Sequence, residues 1–145
     1  MNHRIAILSD IHGDTRALEA VIADARALGA TEFWLLGDIL LPGPGREDLF
    51  ELLDAIPITA AVRGNWDDCV LEALDGEYGL EDPQEIQLLR LTQYLMEGLD
   101  PKRIDWLRSL PLVEKKEVNG IRFSLTHNLP EKNYGGDLRP ANATE

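Results

Sequence analysis

Apolar and polar positions fall into blocks along this chain, and the block lengths predict short strands joined by helices. The apolar run Ile5-Ala6-Ile7-Leu8, inside residues 4–9, is brief and lacks helical spacing, so it predicts a buried strand that Gly13 turns away from. Ala17, Leu18, Val21, Ile22, Ala25 and Leu28 then recur at helical spacing, with Asp14 suited to cap the helix and Gly29 to stop it. Phe33-Trp34-Leu35-Leu36 predicts a second buried strand ending in Gly37-Asp38. A strand, helix, strand order of this kind predicts parallel strands with a right-handed crossover, which brings Asp10 and Asp38 to one edge of the sheet.

The pattern repeats once more. Beyond a Pro42-Gly43-Pro44-Gly45 loop, Leu49, Phe50, Leu52, Leu53 and Ile56 mark a second helix, and residues 58–62 a third strand ending at Gly64-Asn65-Trp66-Asp67-Asp68. Residues 70–110 read as mostly helical, with one helix over 84–97, another opening at Asp100-Pro101, and a surface loop over 76–83. Residues 112–118 and 121–126 flank Asn119-Gly120, the strongest short hairpin signal, and the second of these strands delivers His127 at its end. Residues 128–145 are rich in Pro, Gly and Asn without a further apolar strand. The expectation is an α/β fold, with residues 1–145 forming a single domain.

Composition narrows the function classes. The hydrophobic content of 44% is that of an ordinary globular domain, and no run approaches the roughly 20 apolar residues of a membrane span. A net charge of −12, from 14 Lys and Arg against 26 Asp and Glu, argues against a basic nucleic-acid surface, so an anionic substrate would need cations beside it. Cys69 is the single cysteine and cannot form an intramolecular disulfide, and the apolar run after Met1-Asn2-His3-Arg4 is too short for a signal-peptide core. A cytoplasmic location, with no membrane partner, is the expectation.

Candidate chemistry gathers at the strand ends, where open α/β sheets bind their ligands. Asp10 and His12, two residues apart, project to one side and can share a metal ion. Taken singly, each candidate also has a plain structural reading. Asp10 can cap a turn, His12 can be a hydrogen-bonded loop histidine, Asp38 and Asn65 both favour turns, and His127 can cap its strand. Arg46 or Arg63 could contact a phosphate directly or form a surface ion pair. Taken together, carboxylate, amide and imidazole donors at successive strand ends are what a two-metal site requires.

The order of these motifs resembles the calcineurin-like metallophosphoesterases. The matching stretches are Ser9-Asp10-Ile11-His12-Gly13-Asp14, Leu36-Gly37-Asp38-Ile39-Leu40-Leu41-Pro42-Gly43-Pro44 and Arg63-Gly64-Asn65-Trp66-Asp67, and Trp106-Leu107-Arg108-Ser109-Leu110-Pro111 also has the family's look. The resemblance covers nearly the whole chain. It implies a sandwich of two sheets flanked by helices, with two divalent ions (Mn, Fe, Zn or Mg) at the strand ends. It also implies that Asp10 and His12 hold the first metal, Asp38 bridges both, and Asn65 and His127 hold the second. Asp38, Asn65 and Asp67 would be the catalytic positions. The implied reaction is hydrolysis of a phosphomonoester or phosphodiester by in-line attack of a metal-bound hydroxide. Its substrate would be a phosphorylated small molecule, a nucleotide or a phosphoprotein.

Two departures from the family pattern bear on that reading. The family usually has His after Gly-Asn, commonly assigned to protonate the leaving group, whereas this chain has Trp66, whose indole is no general acid at neutral pH. Asp67, which orients that histidine in the family, then has either a catalytic or a purely structural place, and Trp66 is expected to pack over the site mouth or into the core. Second, nothing after His127 resembles the family's Gly-His-x-His block, which gives each metal one further ligand. The remaining histidine, His3, belongs at the far end of the first strand. The resemblance therefore implies an incomplete fold: the N-terminal part of a longer metallophosphoesterase, or a truncated homologue whose exposed sheet edge is covered by another chain, as in a homo-oligomer. A non-catalytic binding scaffold or an inactive fragment is the alternative. A phospho-accepting or aspartyl-nucleophile domain is disfavoured, because its Asp-x pair would end in a second acid where His12 stands.

Overall fold

The structure, a computed structural model, describes residues 3–131. Ten elements follow one another: β1 (Ile5–Leu8), α1 (Thr15–Ala27), β2 (Glu32–Leu35), α2 (Glu47–Asp54), β3 (Ile58–Ala61), α3 (Asn65–Leu74), α4 (Pro83–Met96), α5 (Pro101–Ser109), β4 (Val113–Val118) and β5 (Ile121–Thr126). The first three strands form a parallel sheet in the order β1-β2-β3, and β4 and β5 form an antiparallel hairpin. The expected α/β arrangement of two sheets flanked by helices is the one observed.

Alternation along β2 explains how the two layers are held together. Phe33 and Leu35 face the larger core, where they join Leu18 and Ile22 of α1, Leu49 and Leu53 of α2, Val70 of α3 and Leu107 of α5. Trp34 points the other way, into a smaller cluster with Ala60, Val62 and Leu125, which is where the hairpin lies against the sheet. All three β2 residues are only 1% exposed, as expected for the central strand of a sheet covered on both faces. The Trp34 ring meets Phe123 edge-on at 5.2 Å, and its Nε1–H donates to Thr59 Oγ1 at 3.1 Å, so the indole is buried without an orphaned donor.

Local signals account for most element ends. Asp14 accepts the N–H of Ala17, Asp82 that of Gln84 and Asp100 that of Lys102, and Pro stands at the first position of both α4 and α5. Asn119 and Gly120 have φ of +51° and +78°, the two left-handed residues of a tight hairpin turn. Two boundaries differ from the periodicity. Pro83 belongs to α4 rather than to the loop before it, because its fixed φ and missing N–H suit a first helical position. Asn65 to Asp68 is the first turn of a helix rather than the tail of a strand, because Asp67 folds back to accept the Gly64 N–H at 2.9 Å and closes that turn.

Among the described residues β1 pairs on one side only, with β2, and Ile7 is 54% exposed beside Val21 of α1. No helix among the described residues is long and apolar enough to cross a membrane.

Candidate metal centre

Three glycine-rich turns bring the polar side chains together at the C-terminal ends of the parallel strands. Backbone hydrogen bonds fasten the turn after β1 to the turn after β2: Asp10 N–H to Gly37 O at 3.1 Å, His12 N–H to Asp38 O at 2.8 Å, and Gly13 N–H to Ile39 O at 2.9 Å. The turn after β3 lies so close that a Cβ on Gly37 would sit 2.3 Å from Gly64 N, and one on Gly64 2.1 Å from Asp38 Oδ1. Only glycine fits either place. Asp10, His12 and Asp38 all adopt left-handed backbone, with φ of +56°, +51° and +55°. Three strained residues clustered at one sheet edge mark a site whose geometry is held against local preference.

Asp38 is the centre of the cluster and is 2% exposed. Its Oδ2 lies 3.7 Å from His12 Nε2 on one side and 3.4 Å from His127 Nε2 on the other. Asp10 Oδ1 is 3.5 Å from His12 Nε2, and one ligand atom from each of Asp10, His12 and Asp38 falls within 4.8 Å of the others. On the far side, His127 Nε2 is 3.0 Å from the amide oxygen of Asn65. The result is two groups of donors, Asp10 with His12 and Asn65 with His127, on either side of the Asp38 carboxylate.

Both imidazoles are tethered through the nitrogen that faces away from the cluster. His12 Nδ1 donates to the Leu41 carbonyl at 2.6 Å, and His127 Nδ1 donates to the Leu36 carbonyl at 2.5 Å. That arrangement fixes each ring's tautomer and turns Nε2 inward, as in histidines that bind metal. The donor set fits a divalent cation: carboxylate, amide oxygen and imidazole suit ions from Mg to Zn, and a buried carboxylate with facing imidazoles offers the negative charge they need. Without an ion, His127 is pushed up to about 9, first by its hydrogen bond to Asp38 and further by the Leu36 carbonyl.

Asp67 lies beneath this cluster, 0% exposed. Its Oδ2 accepts the N–H of both Asp38 and Gly64, and its Oδ1 that of Ile39, all at 2.9 Å. Burial pushes its carboxyl up to about 6 against the pull of those three donors. It reaches no open face of the site and braces the β2 and β3 turns against each other. Trp66 donates its backbone N–H to Asp38 Oδ1 at 2.8 Å, and its indole meets the His12 ring edge-on at 5.9 Å.

The two arginines weighed as phosphate contacts are engaged elsewhere. Arg63 pairs with Asp68 and donates to the Leu110 carbonyl, while Arg46 stacks on the Tyr94 ring at 4.4 Å and donates to the Tyr94 carbonyl. The tethering carbonyls of Leu36 and Leu41 carry no mark in the sequence. The bracing place of Asp67 could have been read from its position three residues after Gly64, which is the spacing of a helix-opening acid.

A model of the calcineurin-like phosphoesterase family matches residues 3–142. An uncharacterized protein of Methanocaldococcus jannaschii is 30% identical over 131 residues, which are 88% of this chain and 50% of that protein. Among solved structures, a metallophosphoesterase from Sphaerobacter thermophilus is similar with a TM-score of 0.57 and 32% identity, over 79% of this chain and 44% of that one. A hypothetical protein from Pyrococcus horikoshii shares the fold with a TM-score of 0.68 at 21% identity, over 94% of this chain and 59% of that one. The chain thus spans about half the length of the relatives it matches.

Proposed function

Because this chain belongs to the calcineurin-like phosphoesterase family, we propose that it hydrolyses a phosphomonoester or phosphodiester at a centre of two divalent ions. The observation that carries this reading is the Asp38 carboxylate between two inward-facing imidazoles, 3.7 Å and 3.4 Å away. Asp10, His12 and Asp38 would hold one ion, and Asp38, Asn65 and His127 the other. When bound, such ions supply a nucleophile at neutral pH and neutralise the phosphoryl oxygens, which lets so acidic a protein accept an anion.

The chain's own residues do the positioning. The Leu36 and Leu41 carbonyls hold each Nδ1–H and so keep each Nε2 turned toward the centre. Asp67 fixes the Asp38 backbone and leaves the Asp38 side chain facing both imidazoles. The indole of Trp66 packs perpendicular to the His12 ring and donates no proton to a leaving group. Substrates of the expected kinds are a phosphorylated small molecule, a nucleotide or a phosphoprotein.

The test is hydrolysis of an aryl phosphate and an aryl phosphodiester with Mn²⁺, repeated with Asp38→Asn. Asparagine keeps an oxygen for the Trp66 N–H but removes the charge. The expected loss is on the order of 10³-fold, the equivalent of several kcal/mol of transition-state stabilisation. Trp66 at the position where the family carries its acid favours a second reading, a binding scaffold without turnover. That reading gains if neither compound is hydrolysed while Mn²⁺ still raises the melting temperature.

A further inference from the structure

A groove of about 620 Å³ opens beside Asp10 and His12 and is walled by Trp66, Pro42, Pro44, Ile11 and Ala17. Its size falls in the range of small-molecule sites. Apart from the two metal-facing residues, its polar side chain is Asp14, whose carboxylate caps α1.

Both walls are fixed before any ligand arrives. The proline wall is pinned by Gly43 N–H to His12 O at 2.9 Å and by Gly45 N–H to Gly13 O at 2.8 Å. Contact there is so close that a Cβ on Gly43 would lie 2.1 Å from the His12 oxygen. The indole wall is set by the backbone N–H bond of Trp66 to Asp38 and by a T-shaped contact between the Trp66 and His12 rings. Two rigid apolar walls lose little entropy on receiving a flat group between them.

We infer that this groove receives the organic part of the substrate, and that this part is an uncharged planar ring, a nucleobase or an aryl group, stacked on Trp66. The inference rests on the phosphoesterase reading, since it takes the phosphoryl group to lie at Asp10, His12 and Asp38, where the groove begins. A ring is selected over a sugar or an acyclic alcohol because the walls offer faces and few hydrogen-bonding groups. A second anionic group is selected against by Asp10 and Asp14.

The experiment compares three compounds with Mn²⁺: a nucleoside 5′-monophosphate, phenyl phosphate and ribose 5-phosphate. In the wild type, kcat/KM for at least one ring compound exceeds that for ribose 5-phosphate. Trp66→Ala lowers this ratio by about 10-fold, the order expected for one stacked ring, and Trp66→Phe largely preserves it. The ring compound whose ratio falls identifies the nucleobase or the aryl source. A ratio that is the same in wild type and Trp66→Ala overturns the inference.

An equilibrium arm separates this outcome from failure of the phosphoesterase reading. If neither these three compounds nor the aryl phosphodiester is hydrolysed, that reading fails, and the groove is judged by quenching of indole fluorescence in Mg²⁺. Quenching by a ring compound but not by ribose 5-phosphate, lost in Trp66→Phe, supports ring binding. Quenching that is absent, or unchanged in Trp66→Phe, overturns it.

Discussion

His127 Nε2 stands 3.4 Å from Asp38 Oδ2, so the last strand of the hairpin and the turn after β2 meet through one ion pair in the metal-free protein. Its proton and a metal ion compete for the same nitrogen, and the dependence of stability on pH should therefore differ with and without metal.

In the metal-free protein, folding raises His127 from 6.5 to about 9. A group raised on folding contributes stability that is fully present below its unfolded value and is lost as pH rises through its folded value. Stability should thus fall between pH 6.5 and 9. At about 1.4 kcal/mol per pKa unit, the loss from this group is about 3 kcal/mol. Urea unfolding across that range measures it, and His127→Gln should flatten the profile. With saturating Mn²⁺ the trend should weaken or reverse, because metal binding releases the proton more readily at high pH.

Gly64→Ala should abolish the metal-induced rise in melting temperature. The new Cβ would lie 2.1 Å from Asp38 Oδ1 and 2.3 Å from Asp38 N, so the carboxylate must move. Crowding of this kind typically costs about 1–3 kcal/mol of stability as well. Gly79→Ala, whose Cβ meets only Glu85 Oε2 at 3.5 Å, is the control and should change neither quantity.

Asp67→Asn should cost about 2–4 kcal/mol of folding stability, because an amide NH₂ would face N–H donors now paired with a carboxylate oxygen. The loss falls on the β2 and β3 turns, so metal affinity should drop with it. If Asp67 acts only by bracing, raising the metal concentration restores most of kcat. Titration of activity against Mn²⁺ checks this directly.

Asp10→Gly should stabilise the metal-free protein relative to Asp10→Ala by up to about 1 kcal/mol. Both variants lose the carboxylate, but only glycine adopts φ near +56° without strain. Both should lose metal-induced stabilisation alike. Chemical denaturation of the pair isolates the backbone contribution.

Much of the frame was legible because it follows from local rules. Helical spacing from Ala17 to Leu28, the helix-opening Asp14 and Asp100, and Asn119-Gly120 each act within a few residues, and the structure obeys them. The convergence of Asp10, Asp38 and Asn65 on one edge follows from parallel strands with repeated crossovers. What stayed hidden depends on contacts between distant segments. Nothing near His127 announces that the Leu36 carbonyl will hold its ring, and nothing near Trp34 tells which residues will cover its outer face. The opening of α3 at Asn65 was obscured because Gly64-Asn65 is also a turn signal, and the bond from Gly64 N–H to Asp67 decides between the two.

The open side of β1 gives the strong negative charge a further consequence. Among the described residues that side of the strand has no strand partner, and such an edge with an exposed Ile7 is a template for pairing with other chains. A net charge of −12 makes copies of this chain repel one another, but only over the roughly 10 Å that remain unscreened in 0.1 M salt. Self-repulsion of this kind opposes association through that edge. The same acidity that would make an anionic substrate depend on cations at the proposed centre also opposes self-association, and added salt or divalent ions would weaken that repulsion.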